Sequence, residues 1–229
     1  MVSLHRAFPF WNDLSDLQQE AFLDYTIVRP YEAGMPLEIR PGMYVIGDGG
    51  AIAYASHESG RRRVAFYVRW MEAVILTPSF LAGSTAGYLE LYAKEASEIW
   101  FIPYDDWRNL EQMHQDIRNY TSDLMSSQMS SLLFGIYAQT EKNISKRAAL
   151  ILYRIYEKSR QSTGDTVMIS HEELAELTGT TREAVTRNVN VLKDAGLVQT
   201  GRGKIRILDA QGLQEYANTR SGNGAEEAV

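Results

Sequence analysis

The sequence predicts an α+β protein with an N-terminal antiparallel β jelly roll, a long helix, and a C-terminal unit of helices and a hairpin. Three observations predict this order. Short β-rich runs fill residues 25–103, a helical pattern follows Pro103 as far as about Gln139, and two short helices precede a hairpin in residues 169–208. We therefore expect a jelly-roll domain over 1–110, a helix over 111–140, a C-terminal domain over 141–215 and a disordered tail over 216–229.

Composition excludes several classes of protein and site. Hydrophobic residues make up 45% and charged residues 23% of the 229 residues, which is typical of a globular protein, and cysteine is absent. This chain therefore supplies no disulfide, thiol nucleophile, cysteine-ligated zinc or iron–sulfur ligand. No apolar run approaches the roughly 18 residues that a membrane helix needs, so we expect no membrane association and a cytoplasmic location.

The jelly roll is predicted from eight short strand-like runs. They are Thr26–Pro30, Pro36–Ile39, Met43–Ile46, Ile52–Ala55, Arg63–Val68, Val74–Leu76, Leu89–Ala93 and Glu98–Ile102. Turn signals such as Pro41-Gly42 separate them, and this spacing is typical of a small antiparallel barrel or jelly roll. Residues 1–25 are predicted to form short helices, one of them capped by Asp13 or Ser15.

An apolar stripe follows the predicted long helix. Its members recur at spacings of three and four residues on two adjacent tracks: Met113, Ile117, Tyr120 and Leu124, then Met125, Met129, Leu132 and Ile136. Serines beside the stripe favour close packing against a partner helix. No other long helix is predicted that could cover it. We therefore expect a homodimer held by Ile117, Leu124, Met125, Leu132 and Ile136.

Residues 169–208 form the most informative segment. Ser170 and Glu173 make a capping box that opens a short helix, and Gly179 provides a tight turn. Thr181 caps a second helix, which ends at Gly196. Two strands joined by Gly201-Arg202-Gly203 follow, so the whole pattern is that of a winged helix-turn-helix.

One face of the second helix is suited to reading DNA. Arg182, Glu183, Thr186 and Arg187 share it, and the second helix of such a motif enters the major groove. Arginine pairs with guanine, and a carboxylate accepts from cytosine. Arg202 and Lys204 on the wing are expected at phosphates, as are Thr181 and Asn190. The alternative is a charged solvent face with internal ion pairs.

The charge distribution agrees with a local anionic partner. Residues 1–141 hold 10 basic and 18 acidic side chains, whereas residues 142–206 hold 12 basic and 7 acidic ones, in a chain of net charge −6. A basic module joined to an acidic body favours double-stranded DNA as the partner of that module alone.

These residues resemble the DNA-binding module of the Crp/Fnr superfamily of bacterial transcription regulators. The resemblance lies in residues 181–187, 192–198 and 201–205, and the order of the parts agrees over nearly the whole chain. It implies a cyclic-nucleotide-binding-like front domain. It also implies that Arg182, Glu183 and Arg187 contact bases in an inverted-repeat operator with half-sites related to TGTGA.

The front domain departs from the superfamily's cyclic-nucleotide-binding members. Those members have a Gly-Glu pair followed by Arg-Ser or Arg-Thr, whereas residues Leu81–Gly87 contain neither a glutamate nor an arginine. Without a cation a buried phosphate is costly, so we do not expect cyclic AMP or GMP to bind. An unknown small molecule remains, for which we expect a pocket lined by Tyr67, Trp70, Phe80, Tyr88, Tyr92, Tyr120 and Tyr137.

Several alternatives stay open. A haem- or gas-responsive regulator would use His5, His57 or His114, although no cofactor or metal is expected. The Arg61–Arg63 run is interpreted as a solvated hairpin end, or as a contact for an anionic ligand or RNA polymerase. No catalytic motif is present and the four histidines are scattered, so we do not expect an enzyme. A small-molecule-binding protein whose helix-turn-helix mediates only protein contacts is the remaining alternative.

Overall fold

The structure is a computed structural model that describes residues 4–56, 62–82 and 88–219. At positions 161 and 162 it describes the backbone alone. The chain divides into two compact units, residues 1–134 and 135–229. The helices are α1 (Leu4–Ala7), α2 (Asp16–Tyr25), α3 (Pro78–Leu81), α4 (Tyr104–Met113), α5 (Gln115–Thr140), α6 (Ile144–Thr163), α7 (His171–Thr178), α8 (Arg182–Asp194) and α9 (Ala210–Asn218). The strands are β1 (Ile27–Tyr31), β2 (Gly42–Asp48), β3 (Gly50–Ser56), β4 (Arg62–Arg69), β5 (Ala73–Leu76), β6 (Leu89–Ala93), β7 (Ser97–Pro103), β8 (Thr166–Val167), β9 (Val198–Gly201) and β10 (Lys204–Ile207).

Two antiparallel sheets form the front unit. One has the strand order β1-β7-β2-β5 and the other the order β4-β3-β6. Alternate residues of both sheets, such as Ile46, Ile99, Ala53 and Leu91, are buried in one shared core between them. The predicted jelly-roll class is confirmed, although Pro36 makes only an isolated bridge to Tyr92 where a strand is predicted.

A second core lies between the first sheet and the helices. Phe8, Phe22 and Trp107 fill it, and their rings lie 5.4–5.8 Å apart between centroids. The Trp107 indole N–H donates to the Thr121 hydroxyl over 2.9 Å. Ile117 belongs to this core and is 0% exposed. The prediction that Ile117 lies on a dimer surface is therefore wrong, because its side chain is used within its own unit.

The predicted long helix is interrupted near its start. His114 has extended backbone angles and separates α4 from α5. Its Nδ1 accepts a hydrogen bond from the Asp116 N–H over 3.2 Å, so the imidazole satisfies a backbone donor that the first turn of α5 leaves free. Helix α5 therefore begins at Gln115 as a separate element.

Helix α5 is tied to the edge of the first sheet by one side chain. The Gln128 amide accepts from the Ile75 N–H over 3.1 Å and donates to the Ile75 carbonyl over 3.3 Å. Ile75 lies in β5, the last strand of the order β1-β7-β2-β5. On α5 the apolar side chains Met125, Met129, Leu133 and Ile136 are exposed.

The second unit is built around α6. The residues Ala148, Ala149, Ile151 and Leu152 are buried, and α6 packs on α7, α8 and α9. Helix α6 has 20 residues, and its apolar face is covered within its own unit.

Helix α9 is not predicted from the sequence. Asp209 caps it through a 2.8 Å bond from the Gly212 N–H, and the Tyr216 hydroxyl lies 2.8 Å from Ser145 Oγ. Residues 216–218 thus belong to this helix and not to a tail, and residues 220–229 lie outside the described part of the chain. In the ranges that the structure describes, no helix is both long and apolar enough to cross a membrane.

Candidate nucleic-acid interface

The α7–turn–α8 motif is fixed by its caps. The Ser170 N–H donates to the Glu173 carboxylate over 2.7 Å, and the Glu173 N–H donates to the Ser170 hydroxyl over 3.1 Å. Gly179 ends α7 in the left-handed region, with φ 65° and ψ 37°. The Thr181 hydroxyl then accepts from the Ala184 N–H over 3.3 Å and starts α8. The predicted capping box and turn are present as expected.

Helix α8 has two distinct faces. Its apolar residues Ala184, Val185, Val189 and Leu192 are buried in the second unit. The predicted base readers Arg182, Glu183 and Arg187 are exposed, as is Asn190. The exposed face is therefore free to meet a ligand without disturbing the packing that holds the helix.

The first turn of α8 concentrates charge. The carboxyl of Glu183 accepts hydrogen bonds from its own backbone N–H and from the Thr181 hydroxyl, and Arg182 and Arg187 lie nearby. These donors and cations hold the pKa of Glu183 below its ordinary range. Glu183 is thus ionised at neutral pH and can act only as an acceptor, while the two arginines are donors.

Thr186, the remaining predicted base reader, is less exposed and is bonded within the motif. Its hydroxyl donates to the Arg182 carbonyl over 2.9 Å and lies 3.0 Å from Nδ1 of His171 in α7. Burial, and then Arg182, lower the pKa of His171. The sequence reading missed His171, because residues 15 positions apart carry no periodic signal that links them.

The wing is a three-stranded sheet in the order β8-β10-β9. Lys204 pairs with Gly201 across a turn in which Gly203 has a φ of 69°. Arg202 and Lys204 are exposed at this turn, while Ile205 and Ile207 are buried below it. The two phosphate contacts predicted on the wing therefore lie at the tip of the hairpin.

Comparison with known proteins agrees with this geometry. Residues 146–216 match the family described as the Crp-like helix-turn-helix domain. The cyclic AMP receptor protein of Thermus thermophilus is 23% identical over 219 residues, which cover 91% of this chain and 96% of that protein. The crystal structure of a Crp/Fnr-family transcriptional regulator from Eubacterium rectale is 26% identical, with a TM-score of 0.61, over 93% of this chain and 99% of that one.

Residues 146–216 form a Crp-like helix-turn-helix domain. Over nearly its whole length the chain is similar to transcription regulators of the Crp/Fnr family. The fold is also that of CooA from Carboxydothermus hydrogenoformans, which is 16% identical with a TM-score of 0.71 over 86% of this chain and 89% of CooA.

In the front unit, two of the predicted pocket residues lie on the outside of a sheet. Tyr67 and Tyr92 alternate with Val68, Leu91 and Ala93, which face the core between the sheets, so both tyrosines lie on the outer face of their sheet.

A further predicted pocket residue, Tyr120, packs against the second core. Tyr120 packs edge-on against Phe8 and Phe10, and burial raises the pKa of its hydroxyl to about 12. Tyr137 belongs to the second unit, and Trp70, Phe80 and Tyr88 are exposed on three different segments. Tyr67 and Tyr92 therefore do not line one pocket with Tyr120, and the grouping of the other four side chains stays a prediction.

A groove of about 340 Å³ does open at one end of the jelly roll. It is lined by Ile27, Arg40, Pro41, Pro78, Phe101, Pro103, Tyr104 and Asp105. The Arg40 guanidinium donates a hydrogen bond to the Glu38 carboxylate over 2.5 Å. The cation that lines the groove is therefore already paired, and most of the other lining residues are apolar.

The remaining front-domain predictions fall partly outside the described residues. His57, Arg61 and positions 83–87 of the Leu81–Gly87 stretch lie outside the described residues. Arg62 lies with its guanidinium 4.5 Å from the centre of the Tyr54 ring. His5 is exposed in α1 and His114 caps α5, and no group of three or more potential metal ligands occurs within the described ranges.

Proposed function

We propose that this regulator binds an inverted-repeat DNA operator as a homodimer, with α8 of each subunit in a major groove. The observation that carries the proposal is the separation of the two faces of α8. Its apolar face is fully used in packing, while Arg182, Glu183 and Arg187 are exposed at its N-terminal end. That end of a recognition helix is the one that contacts base edges.

The charged side chains divide into two roles. Arg182 and Arg187 each offer a fork of donors suited to guanine O6 and N7, and Glu183 is suited to accept from cytosine N4. Thr181, Asn190, Arg202 and Lys204 contact phosphates, which fix the register without reading sequence. The exposure of all four side chains supports this assignment.

The homodimer is supported by the exposed apolar side chains of α5. Met129 is 62% and Ile136 67% exposed, and Met125 and Leu133 continue the same face, with Leu124 and Leu132 half-buried beside it. A contiguous apolar stripe on a surface helix marks a site of contact with another surface. A second copy of α5 provides a matching stripe and places two α8 helices on one DNA.

We further propose that a small molecule controls the front unit, and that this molecule is not cyclic AMP or GMP. The name of the Thermus relative supports a ligand-responsive fold, but Leu81–Gly87 of this chain lacks the glutamate and arginine that a cyclic phosphate needs. The groove beside Arg40 and Phe101 offers a space within the usual range for small ligands. Mass spectrometry of the purified native protein tests this directly by identifying any co-purified molecule.

Selection of binding sites from random DNA tests the DNA-binding proposal. The unmodified protein is expected to select a palindrome whose half-sites are centred about one helical turn apart. Arg182→Ala is expected to weaken operator binding by about 1–3 kcal/mol and to relax preference at one guanine of each half-site. The matched control is Lys204→Ala, which should weaken all sequences alike and lower the salt dependence by about one counterion per subunit.

Two results would contradict the proposal. Selection of no palindrome by the unmodified protein would favour a helix-turn-helix that serves protein contacts. An unchanged selected sequence with Arg182→Ala would show that another element reads the bases. No catalytic activity is part of the proposed function.

A further inference from the structure

One hydrogen bond joins the two helices of the DNA-binding motif through their side chains. Nδ1 of His171, the first residue of α7, lies 3.0 Å from the hydroxyl oxygen of Thr186 in α8. The same oxygen lies 2.9 Å from the carbonyl of Arg182, four residues earlier in α8. Thr186 is thus held from two directions at the exposed end of the helix.

The proton positions follow from the chemistry of these partners. A carbonyl oxygen only accepts, so the single hydroxyl hydrogen of Thr186 is donated to Arg182. Nδ1 of His171 must then carry a hydrogen and donate it to the Thr186 oxygen. This fixes the tautomer of His171, and within the described residues Nε2 is given no protein partner.

We propose that His171 is a positioning residue that holds the Thr186 hydroxyl within the motif, so that Thr186 meets the major groove with its methyl group and prefers thymine. This inference rests on the proposed function, because it requires α8 to lie in the groove. It changes the role expected of Thr186, from a hydrogen-bonding reader to an apolar one.

The preference for thymine follows from what Thr186 has left to offer. Its only hydrogen is donated to Arg182, and one lone pair of the oxygen is occupied by His171. The methyl group is the part with no polar engagement, and a threonine methyl packs well against the C5-methyl group that thymine alone presents in the major groove. The other bases present polar edges or a bare C–H at that place.

Selection from random DNA with four variants tests the inference. Thr186→Val keeps the methyl group and the shape of the side chain, so the thymine preference should remain. Thr186→Ser keeps the hydroxyl and removes the methyl, so the preference at one position per half-site should fall by about threefold to fourfold. His171→Ala should reduce the same preference, because the Thr186 oxygen then loses its bond from His171 and can accept a hydrogen bond from a base instead.

His171→Asn is the matched control. Its side-chain amide places an N–H close to the position of Nδ1, so it should restore the thymine preference that His171→Ala loses. Circular dichroism and thermal melting of each variant verify that the helices remain folded. A purely structural role of His171 would lower affinity for all sequences equally and leave the selected base unchanged.

The outcomes separate the inference from the proposed function. If the unmodified protein selects no palindrome, the proposed function fails. If it selects one, and Thr186→Val loses a base preference that Thr186→Ser keeps, the hydroxyl is the reader and the inference is overturned. A selected sequence that is identical for His171→Ala and the unmodified protein would overturn it as well.

Discussion

The protonation of a single residue, His171, should make DNA binding depend on pH. In the free protein, burial and the nearby Arg182 keep the pKa of His171 below its ordinary value. Other charges near it are Glu172 and the capped Glu173 on its own helix, while Arg147 of α6 bonds to Thr178 at the far end of α7. Bound DNA brings the negative charge of its phosphates close to His171 and favours the imidazolium, so the pKa of His171 should rise on binding.

Operator affinity is therefore expected to increase as the pH falls from about 8 to about 6, because the complex takes up protons. Fluorescence anisotropy at constant ionic strength measures this dependence, with His171→Asn as the non-titrating control. Folding responds in the opposite direction: the unfolded chain, with the higher pKa, binds the proton more readily, so stability falls as the pH drops below the ordinary histidine value. Equal pH profiles for the two proteins would refute the linkage.

The burial of Ile117 predicts a defect in stability. Ile117→Ala removes a fully buried side chain from the core around Trp107 and should lower the free energy of unfolding of the front unit by about 2–4 kcal/mol. Leu17→Ala, at a position 79% exposed in α2, is the control and should change it by less than about 0.5 kcal/mol. Urea unfolding followed by tryptophan fluorescence distinguishes the two. A loss of dimerisation by Ile117→Ala without a loss of stability would restore the original prediction for this residue.

At the scale of elements, the exposed face of α5 predicts the site of dimerisation. Met129→Glu or Ile136→Glu should weaken self-association at least about tenfold, because the interface would bury an unpaired charge. Operator affinity should fall with it. Ser127→Glu is the control, since two residues place it about 200° around the helix from Met129. Sedimentation equilibrium measures the change, and a monomeric unmodified protein at micromolar concentration would exclude this interface.

Elements with local signals could be predicted from the sequence. The caps at Ser170 and Thr181 and the glycine at 179 fixed α7 and α8 within a residue, because capping depends only on neighbouring positions. Helix α9 carries a similar signal in Asp209, with Leu213 and Ala217 four residues apart, but it is only nine residues long and contains Gly212, which weakens the helical pattern.

Features that depend on tertiary contacts could not be predicted. The apolar period of α5 is the same for Ile117, which faces the core, and for Ile136, which faces solvent. Tyr67 and Tyr92 are also ambiguous, since a one-residue change of register moves a strand residue from the core to the outer face. The contact between His171 and Thr186 arises from the packing of two helices.

At the scale of the whole molecule, the front unit should not respond to cyclic AMP. Isothermal titration calorimetry is expected to show no binding at micromolar nucleotide, because no arginine in Leu81–Gly87 can pair with the phosphate. The anisotropy of a labelled operator should likewise not change on adding the nucleotide. Micromolar binding together with a gain in operator affinity would show that another cation serves the phosphate.

The bond between Gln128 and Ile75 bears on how the protein stays dispersed at high concentration. An outer strand with open backbone groups is a template on which strands of other molecules can add and start aggregates. In β5 the outward N–H and C=O of Ile75 are both occupied by one glutamine side chain, so a foreign strand finds no continuous ladder there. The same amide that anchors helix α5 thus also hinders the addition of a strand from another molecule to β5.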